Sequence, residues 1–136
     1  MTAFLLDTDT ASRLLRADRA TVTAMRKSGA SDIAVSVVTQ SELLFGARLR
    51  PESPSLMAAV RAFLARVTVH AWEEAAAEHH AEVRAAAKLS GRAAGTFDLM
   101  IAAHARALNI TLATSDQAIG KLGIAGLHIV DWSGRK

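Results

Sequence analysis

Four acidic residues, far apart in the sequence, each follow an apolar segment and open a segment of helical character: Asp7, Glu42, Asp98 and Asp116. Strand ends and helix starts lie along the same edge of an alternating β/α fold, so we expect these acids to converge on one cleft. Converged carboxylates repel one another and stay ionised together at neutral pH only when a cation lies among them. Hard divalent ions prefer such oxygen ligands and commonly serve phosphate chemistry. The pattern therefore predicts a divalent metal site.

Each acid also has an ordinary structural explanation. Thr39 and Glu42 match a capping box, Asp7 is a good N-cap, and Asp98 and Asp116 would complement a helix dipole. Taken singly, each acid is better explained in this way. Glu42 and Asp98, however, both head apolar helical stripes, and an acid that points toward a core is costly unless it is paired or bound to a cation. That cost favours a site over four unrelated caps.

Other chemistry-bearing residues carry weaker signals. Asp9 is a candidate to support the metal shell, although a first-turn acid facing solvent needs no ligand. His79 and His80 are adjacent and so project about 100° apart on a helix, unlike the i, i+4 histidine pair of zinc proteases. His104 lies nearly two turns beyond Asp98, and we expect it to be structural. The sequence has no phosphate-binding loop, dinucleotide fingerprint or nucleophile elbow.

Size predicts one domain over residues 1–136, large enough for a real core. The chain is 51% hydrophobic and has no cysteine, which excludes disulfides, thiolate zinc sites and cysteine nucleophiles and fits a reducing cytoplasm. It has no signal-peptide pattern and no apolar run of membrane-spanning length. A net charge of +3 and a pI near 10.0 mildly favour an anionic partner such as nucleic acid.

Predicted strands alternate with predicted helices along the whole chain. The strands fall at residues 3–6, 33–38, 68–71, 111–113 and 127–130. The helices fall near residues 14–15 and 22–25, from Thr39 as N-cap to about 49, along 56–67, from 72 to about 89, from Thr96 as N-cap to 108, and from about 115. This alternation indicates a mainly parallel sheet covered by helices on both faces.

Four short motifs, in this order, resemble a PIN-domain nuclease. The motifs that resemble the first half of that domain are Leu5-Leu6-Asp7-Thr8 and Val38-Thr39-x-x-Glu42-Leu43-x-x-Gly46. Those that resemble its second half are Phe97-Asp98-Leu99-x-Ile101-Ala102-Ala103-His104-Ala105 and Leu112-Ala113-Thr114-Ser115-Asp116. The similarity runs from about Leu5 to Trp132. Within that superfamily the chain is most similar to the VapC toxins of VapBC toxin–antitoxin pairs.

The resemblance implies a three-layer α/β/α sandwich and an endoribonuclease that hydrolyses RNA phosphodiester bonds with Mg²⁺ or Mn²⁺. It makes Asp7, Glu42, Asp98 and Asp116 the metal-binding catalytic acids, and Thr114 a hydroxyl that orients metal or water. It also implies a cytoplasmic homodimer that assembles into a hetero-oligomer with a cognate VapB-like antitoxin, whose C-terminal segment lies in the active-site groove.

The chain departs from the family pattern in two places. The loop at residues 91–95 lacks a proline that is frequent before the third acid, and Ile119 stands where an aromatic residue is common after the fourth. The second departure makes Asp116 the least secure of the four acids. Five arginines are expected near the cleft, where they would contact the RNA backbone: Arg13, Arg16, Arg48, Arg50 and Arg92.

Two alternatives remain at this point. Asp7-Thr8-Asp9-Thr10 also matches the DxDxT opening of haloacid-dehalogenase-type phosphatases, with Asp7 as nucleophile and Asp9 as general acid. The downstream lysine and the late acidic pair of those enzymes have no convincing counterpart here. The second alternative is a catalytically inactive PIN-like interaction module, against which the presence of all four acids argues.

Overall fold

A five-stranded parallel sheet organises the protein and places its first strand at the centre. The computed structural model describes residues 3–135. Its strands are β1 (Ala3–Leu6), β2 (Asp32–Ser36), β3 (Thr68–His70), β4 (Thr111–Ala113) and β5 (Ile129–Val130), in the order β3-β2-β1-β4-β5. Leu6 at the end of β1 is paired with Val35 of β2 and with Ala113 of β4. The predicted parallel sheet is therefore confirmed.

Helices follow the strands in the predicted alternation. They are α1 (Thr8–Leu15), α2 (Arg19–Lys27), α3 (Val37–Arg48), α4 (Pro54–Arg66), α5 (Glu74–Ser90), α6 (Thr96–Leu108) and α7 (Gln117–Lys121). Within residues 3–135, no helix is both long enough and apolar enough to cross a lipid bilayer.

Alternate residues of the central strand pack on opposite faces of the sheet, as strand geometry requires. Leu5 packs with Val83 of α5 and Ile101 of α6 on one face. Leu6 packs with Leu43 of α3 on the other face, where α1 and α4 also lie. The sheet thus lies between two helical layers, which confirms the predicted three-layer α/β/α sandwich.

The second strand ends two residues earlier than predicted. Ser36 is the N-cap of α3, because its Oγ accepts a hydrogen bond from the Val38 backbone N–H at 3.0 Å. Helix α3 therefore begins at Val37, and Thr39 is inside it instead of being its cap. Glu42 consequently lies in the second turn, not the first, so the capping-box interpretation is wrong. Local hydroxyl capping by Ser36 outweighed the strand preference of the two valines.

Smaller differences occur at several other boundaries. Helix α5 begins at Glu74 instead of residue 72, and β5 is shorter than predicted. The N-cap of α6 is Gly95, with φ −64° and ψ 146°, instead of Thr96. Asn109 caps the other end of α6 in the left-handed conformation with φ 55°.

Candidate metal centre

Asp7 lies at the carboxyl end of the central strand and is 5% exposed. As N-cap of α1 it accepts a hydrogen bond from the Thr10 backbone N–H at Oδ1, over 2.8 Å. Its Oδ2 accepts a hydrogen bond from the Thr114 hydroxyl, over 2.5 Å. Burial raises the pKa of Asp7, while the hydrogen bonds from Thr114 and Thr10 lower it in part. Asp7 is therefore an N-cap through Oδ1, as its position suggested, but its Oδ2 has a different partner.

Thr114 connects Asp7 to Asp116. It directly follows β4, the neighbour of β1, and is buried. Its Oγ1 donates to Asp7 and accepts from the Asp116 backbone N–H at 3.0 Å. Asp116 is in turn the N-cap of α7 and accepts from the Ala118 backbone N–H through Oδ1 at 2.9 Å. The Thr114 hydroxyl thus holds one acid and the backbone of another.

Glu42 reaches the same edge of the sheet from α3. The Thr8 hydroxyl donates to Glu42 Oε1 over 2.5 Å and lies 3.2 Å from the Thr39 hydroxyl. Thr8 is the first residue of α1. The sequence pattern assigned Thr8 no role beyond its place in the first motif. Because β1 and β2 are adjacent parallel strands, the helices that follow them begin side by side. This adjacency is the feature from which a contact between Thr8 and Glu42 could have been predicted.

The charges of the other three acids all act on Asp98. It lies in the first turn of α6, as predicted, and is half-buried. Burial, a hydrogen-bond contact with Asp116 and the charges of Asp116, Asp7 and Glu42 together raise the pKa of Asp98 to about 6. Carboxylates from four different segments of the chain are therefore close enough to perturb one group.

Gly95 leaves room for the Asp98 carboxylate. A Cβ atom at Gly95 would lie 2.8 Å from Asp98 Oδ2, closer than such atoms approach. The backbone of Gly95 has a negative φ, so the constraint is space and not conformation. The carboxylate therefore fills the volume that a larger residue at the N-cap of α6 would take.

Asp9 belongs to the rim of the cluster. Its Oδ2 accepts from Arg13 Nε at 2.9 Å and from the Ser115 hydroxyl at 3.3 Å, and the side chain is 53% exposed. Arg13 is one helical turn away and neutralises Asp9. The charge of Asp9 still contributes to raising the pKa of Asp7.

The side chains fit a hard divalent ion in donor type and charge, but they are not yet arranged as a ligand shell. Within residues 3–135, no three acidic or histidine side chains are spaced to hold one ion. Repulsion between carboxylates acts over several ångströms, whereas Mg²⁺ needs oxygens at about 2.0–2.1 Å. The Asp7 and Glu42 oxygens face the Thr114 and Thr8 hydroxyls instead. Side-chain rotation at this edge would have to bring the oxygens together, so ligation of a common ion by all four acids stays a prediction.

A groove of about 510 Å³ opens beside the acids. Its polar lining includes Thr8, Glu42, Arg16 and Arg50, and its apolar lining comes from α1, α3 and α4. Of the five predicted arginines, these two therefore lie in the groove that contains a candidate acid. Arg13 is paired with Asp9 instead.

The alignment with known proteins covers nearly the whole chain. The profile of the PIN domain matches residues 4–124. The chain is similar to the tRNA(fMet)-specific endonuclease VapC of Shigella flexneri, with 31% identity over 98% of this chain and 100% of that protein. It is also similar in structure to DNA-bound VapBC from Salmonella typhimurium, with a TM-score of 0.85 and 28% identity over 97% and 99% of the two chains. VapBC2 from Rickettsia felis shares the fold, with a TM-score of 0.86, 21% identity and coverage of 97% and 100%.

These similarities decide between the phosphatase and nuclease alternatives. The phosphatase interpretation of the DxDxT opening is wrong, since the match extends through the later acids Asp98 and Asp116 and covers full-length ribonucleases. The chain therefore belongs to the PIN-domain family, and within it to the VapC ribonucleases.

Proposed function

We propose that this chain is the toxin of a toxin–antitoxin pair and cleaves RNA at a divalent metal site formed by Asp7, Glu42, Asp98 and Asp116. The observation that carries the proposal is the placement of the four acids at one edge of the sheet, where Thr114 joins Asp7 to Asp116 and where burial and the other three acids raise the pKa of Asp98. Four anionic side chains at one sheet edge cost free energy that a bound cation would recover.

Mg²⁺ or Mn²⁺ suits this donor set, which is built from carboxylate oxygens alone. A divalent ion bound there would supply an activated water for attack on a phosphodiester. The protein's part is to hold the acids. Thr114 and Thr10 hold both oxygens of Asp7, and Thr8 holds Glu42. The Thr114 and Thr8 hydroxyls can rotate away when an ion takes their acceptor, so they orient the acids without competing strongly for them.

The groove next to Glu42 is suited to an RNA strand. The guanidinium groups of Arg16 and Arg50 line it and would bind backbone phosphates, which position a strand without reading its sequence. A net charge of +3 supports association with a polyanion. Since two full-length relatives are named as tRNA(fMet)-specific endonucleases, we propose transfer RNA as the substrate class.

The same groove offers an apolar surface for a protein partner. Its lining includes Leu15, Leu49, Leu56 and Val60. Structurally similar proteins have been crystallised as toxin–antitoxin complexes. We therefore propose that a VapB-like antitoxin inserts its C-terminal segment here and that the chain forms a homodimer within that hetero-oligomer. Residues 1–136 would act as one domain in the cytoplasm, where RNA substrates are present.

Cleavage of purified tRNA tests the proposal. The chain is incubated with initiator tRNA, and with an elongator tRNA as control, in Mg²⁺, Mn²⁺ or EDTA, and new RNA ends are mapped. We expect defined cleavage that requires metal and is lost in Asp98→Asn. RNA binding without cleavage under any metal would favour the inactive-module alternative. Cleavage that persists in EDTA and in Asp98→Asn would contradict the metal site.

A further inference from the structure

His104 lies on α6, the helix that carries Asp98, but it is outside the acid cluster. Its ring is 2% exposed. The indole of Trp72 lies edge-on to it with ring centroids 5.3 Å apart, and the ring of His70 does so at 6.3 Å. These two contacts fix the plane of the imidazole, so its nitrogen atoms point in defined directions.

The two ring nitrogens of His104 serve different segments of the chain. Nδ1 lies 2.8 Å from Ser36 Oγ, and the ring also hydrogen-bonds the backbone of Ala71. Ser36 Oγ already accepts from the Val38 N–H, so its own hydroxyl hydrogen is available for Nδ1. With Nδ1 accepting from Ser36, Nε2 carries the ring proton and is the nitrogen left for the backbone contact with Ala71. Burial and the nearby His70 lower the pKa of His104, which keeps this neutral form at pH 7.

Ser36 is the point at which α3 begins, and α3 carries Glu42. Most of α3 packs on the face of the sheet opposite to α6, and only its first turn, through Val38, shares the core of Leu99 and Ile101. The hydrogen bond that the N-cap residue Ser36 donates to His104 of α6 is directional and acts close to the edge where the acids lie.

We infer that His104 is a positioning residue. It accepts a hydrogen bond from the Ser36 hydroxyl and thereby fixes the start of α3 relative to α6. This contact sets the separation of Glu42 and Asp98 that metal binding requires. The inference rests on the proposed function, because it assigns a role in the metal site described above. His104 touches neither the acids nor the groove, and it acts through Ser36.

Two substitutions of His104 separate this role from simple packing. In His104→Asn the amide oxygen stands close to where Nδ1 was and keeps the bond to Ser36. In His104→Gln the amide reaches toward Ala71 and the bond to Ser36 is lost. Both variants lose the ring and its contacts with Trp72. Val83→Ala is the matched control, because it creates a cavity between α5 and α6 without touching Ser36.

Mn²⁺ binding to the purified protein, followed by electron paramagnetic resonance, is the measurement, with thermal unfolding in EDTA beside it. We expect about tenfold weaker Mn²⁺ binding in His104→Gln, and binding close to that of the unsubstituted protein in His104→Asn and Val83→Ala. Equal Mn²⁺ affinity in the Gln and Asn variants would overturn the inference and leave the metal site intact. Failure of the unsubstituted protein to bind Mn²⁺ would overturn the metal site, and the inference with it.

A second pair of variants applies if His104→Gln does not fold. Ser36→Ala removes the same hydrogen bond from the other side, together with the N-cap of α3. Asp18→Ala removes the N-cap of α2, which lies away from the acids and serves as the control for cap loss. We expect Ser36→Ala alone to weaken Mn²⁺ binding, and equal affinity in the two variants would overturn the inference.

Discussion

The carboxyl groups of Asp98 and Asp116 lie within hydrogen-bonding reach of each other, although one is in the first turn of α6 and the other is the N-cap of α7. Two carboxyl groups form such a bond only when one of them carries a proton. Burial first, and then this contact, raise the pKa of Asp98 to about 6. Under the proposed function, a bound cation would take the place of this proton near neutral pH.

Replacing Asp98 with asparagine tests the charge of the site against its shape. Asp98→Asn removes one of the mutually repelling charges and keeps the side-chain volume. We expect RNA cleavage to fall by about 100-fold or more, since even outer-shell partners of a metal cost about 10–100-fold when removed. In EDTA the variant should unfold at the same temperature as the unsubstituted protein or at a higher one.

Thermal unfolding with and without Mn²⁺ checks the same variant independently of activity. Mn²⁺ should raise the unfolding temperature of the unsubstituted protein, because it binds the folded state, and raise that of Asp98→Asn much less. An equal Mn²⁺-induced increase in both proteins would contradict the role of Asp98 as a ligand.

The stability of the metal-free protein should depend on pH through Asp98. Its pKa is raised from 3.8 to about 6 in the folded protein, so between these values the folded state binds more protons than the unfolded state. This contribution to stability is fully present below about pH 4 and is lost as the pH rises through about 6. Asp7, whose pKa is also raised, acts in the same direction. We expect the unfolding temperature in EDTA to fall from pH 4.5 to pH 7.

The matched measurement uses Asp98→Asn over the same pH range. Its unfolding temperature should fall less steeply, because the titrating group is gone. Mn²⁺ binding to the unsubstituted protein should weaken as the pH falls through about 6, since protons compete for the same oxygens. If the unfolding temperatures of the two proteins changed in parallel with pH, the raised pKa of Asp98 would be contradicted.

Gly95→Ala should displace the Asp98 carboxylate. The added Cβ would lie 2.8 Å from Asp98 Oδ2, so the carboxylate must move away from its present position. We expect about tenfold weaker Mn²⁺ binding, measured by titration calorimetry. Gly120→Ala is the control, because nothing lies within 4 Å of a Cβ at that position of α7. That variant should keep metal binding and gain up to about 1 kcal/mol of helix stability. Similar Mn²⁺ affinities in the two variants would show that Gly95 does not shape the site.

The hydroxyl of Thr8 should matter more than its volume. Thr8→Val keeps the shape of the side chain and removes the hydrogen bond to Glu42, whereas Thr8→Ser keeps the hydroxyl. Single-turnover cleavage should slow by about tenfold in Thr8→Val and change little in Thr8→Ser. The free energy of unfolding should change by about 1 kcal/mol or less. If both variants cleave at the same rate, Thr8 does not orient Glu42.

Strand–helix alternation was enough to predict the architecture, because buried parallel strands and amphipathic helices have different apolar periods. It also predicted that Asp7 and Asp116 follow strands β1 and β4. The start of α3 was mispredicted, because the local hydrogen bond from the Val38 N–H to the Ser36 side chain cannot be inferred from residue propensities.

Side-chain partners that join distant segments were harder to predict than the acids themselves. The bond of Thr8 to Glu42 spans 34 residues, and that of His104 to Ser36 spans 68. No local pattern records such contacts, because they depend on the register between strands and on the packing of helices across the sheet. Thr114 was anticipated only through the family resemblance, and its bond to Asp7 spans 107 residues.

Mn²⁺ titration of the unsubstituted protein and of four single variants tests the central claim most directly. The variants are Asp7→Asn, Glu42→Gln, Asp98→Asn and Asp116→Asn, and binding is followed by electron paramagnetic resonance at pH 7. We expect each substitution to weaken Mn²⁺ binding by about tenfold or more, because each removes one oxygen ligand of a shared ion. Unchanged affinity in all four variants would show that these acids do not hold a common metal.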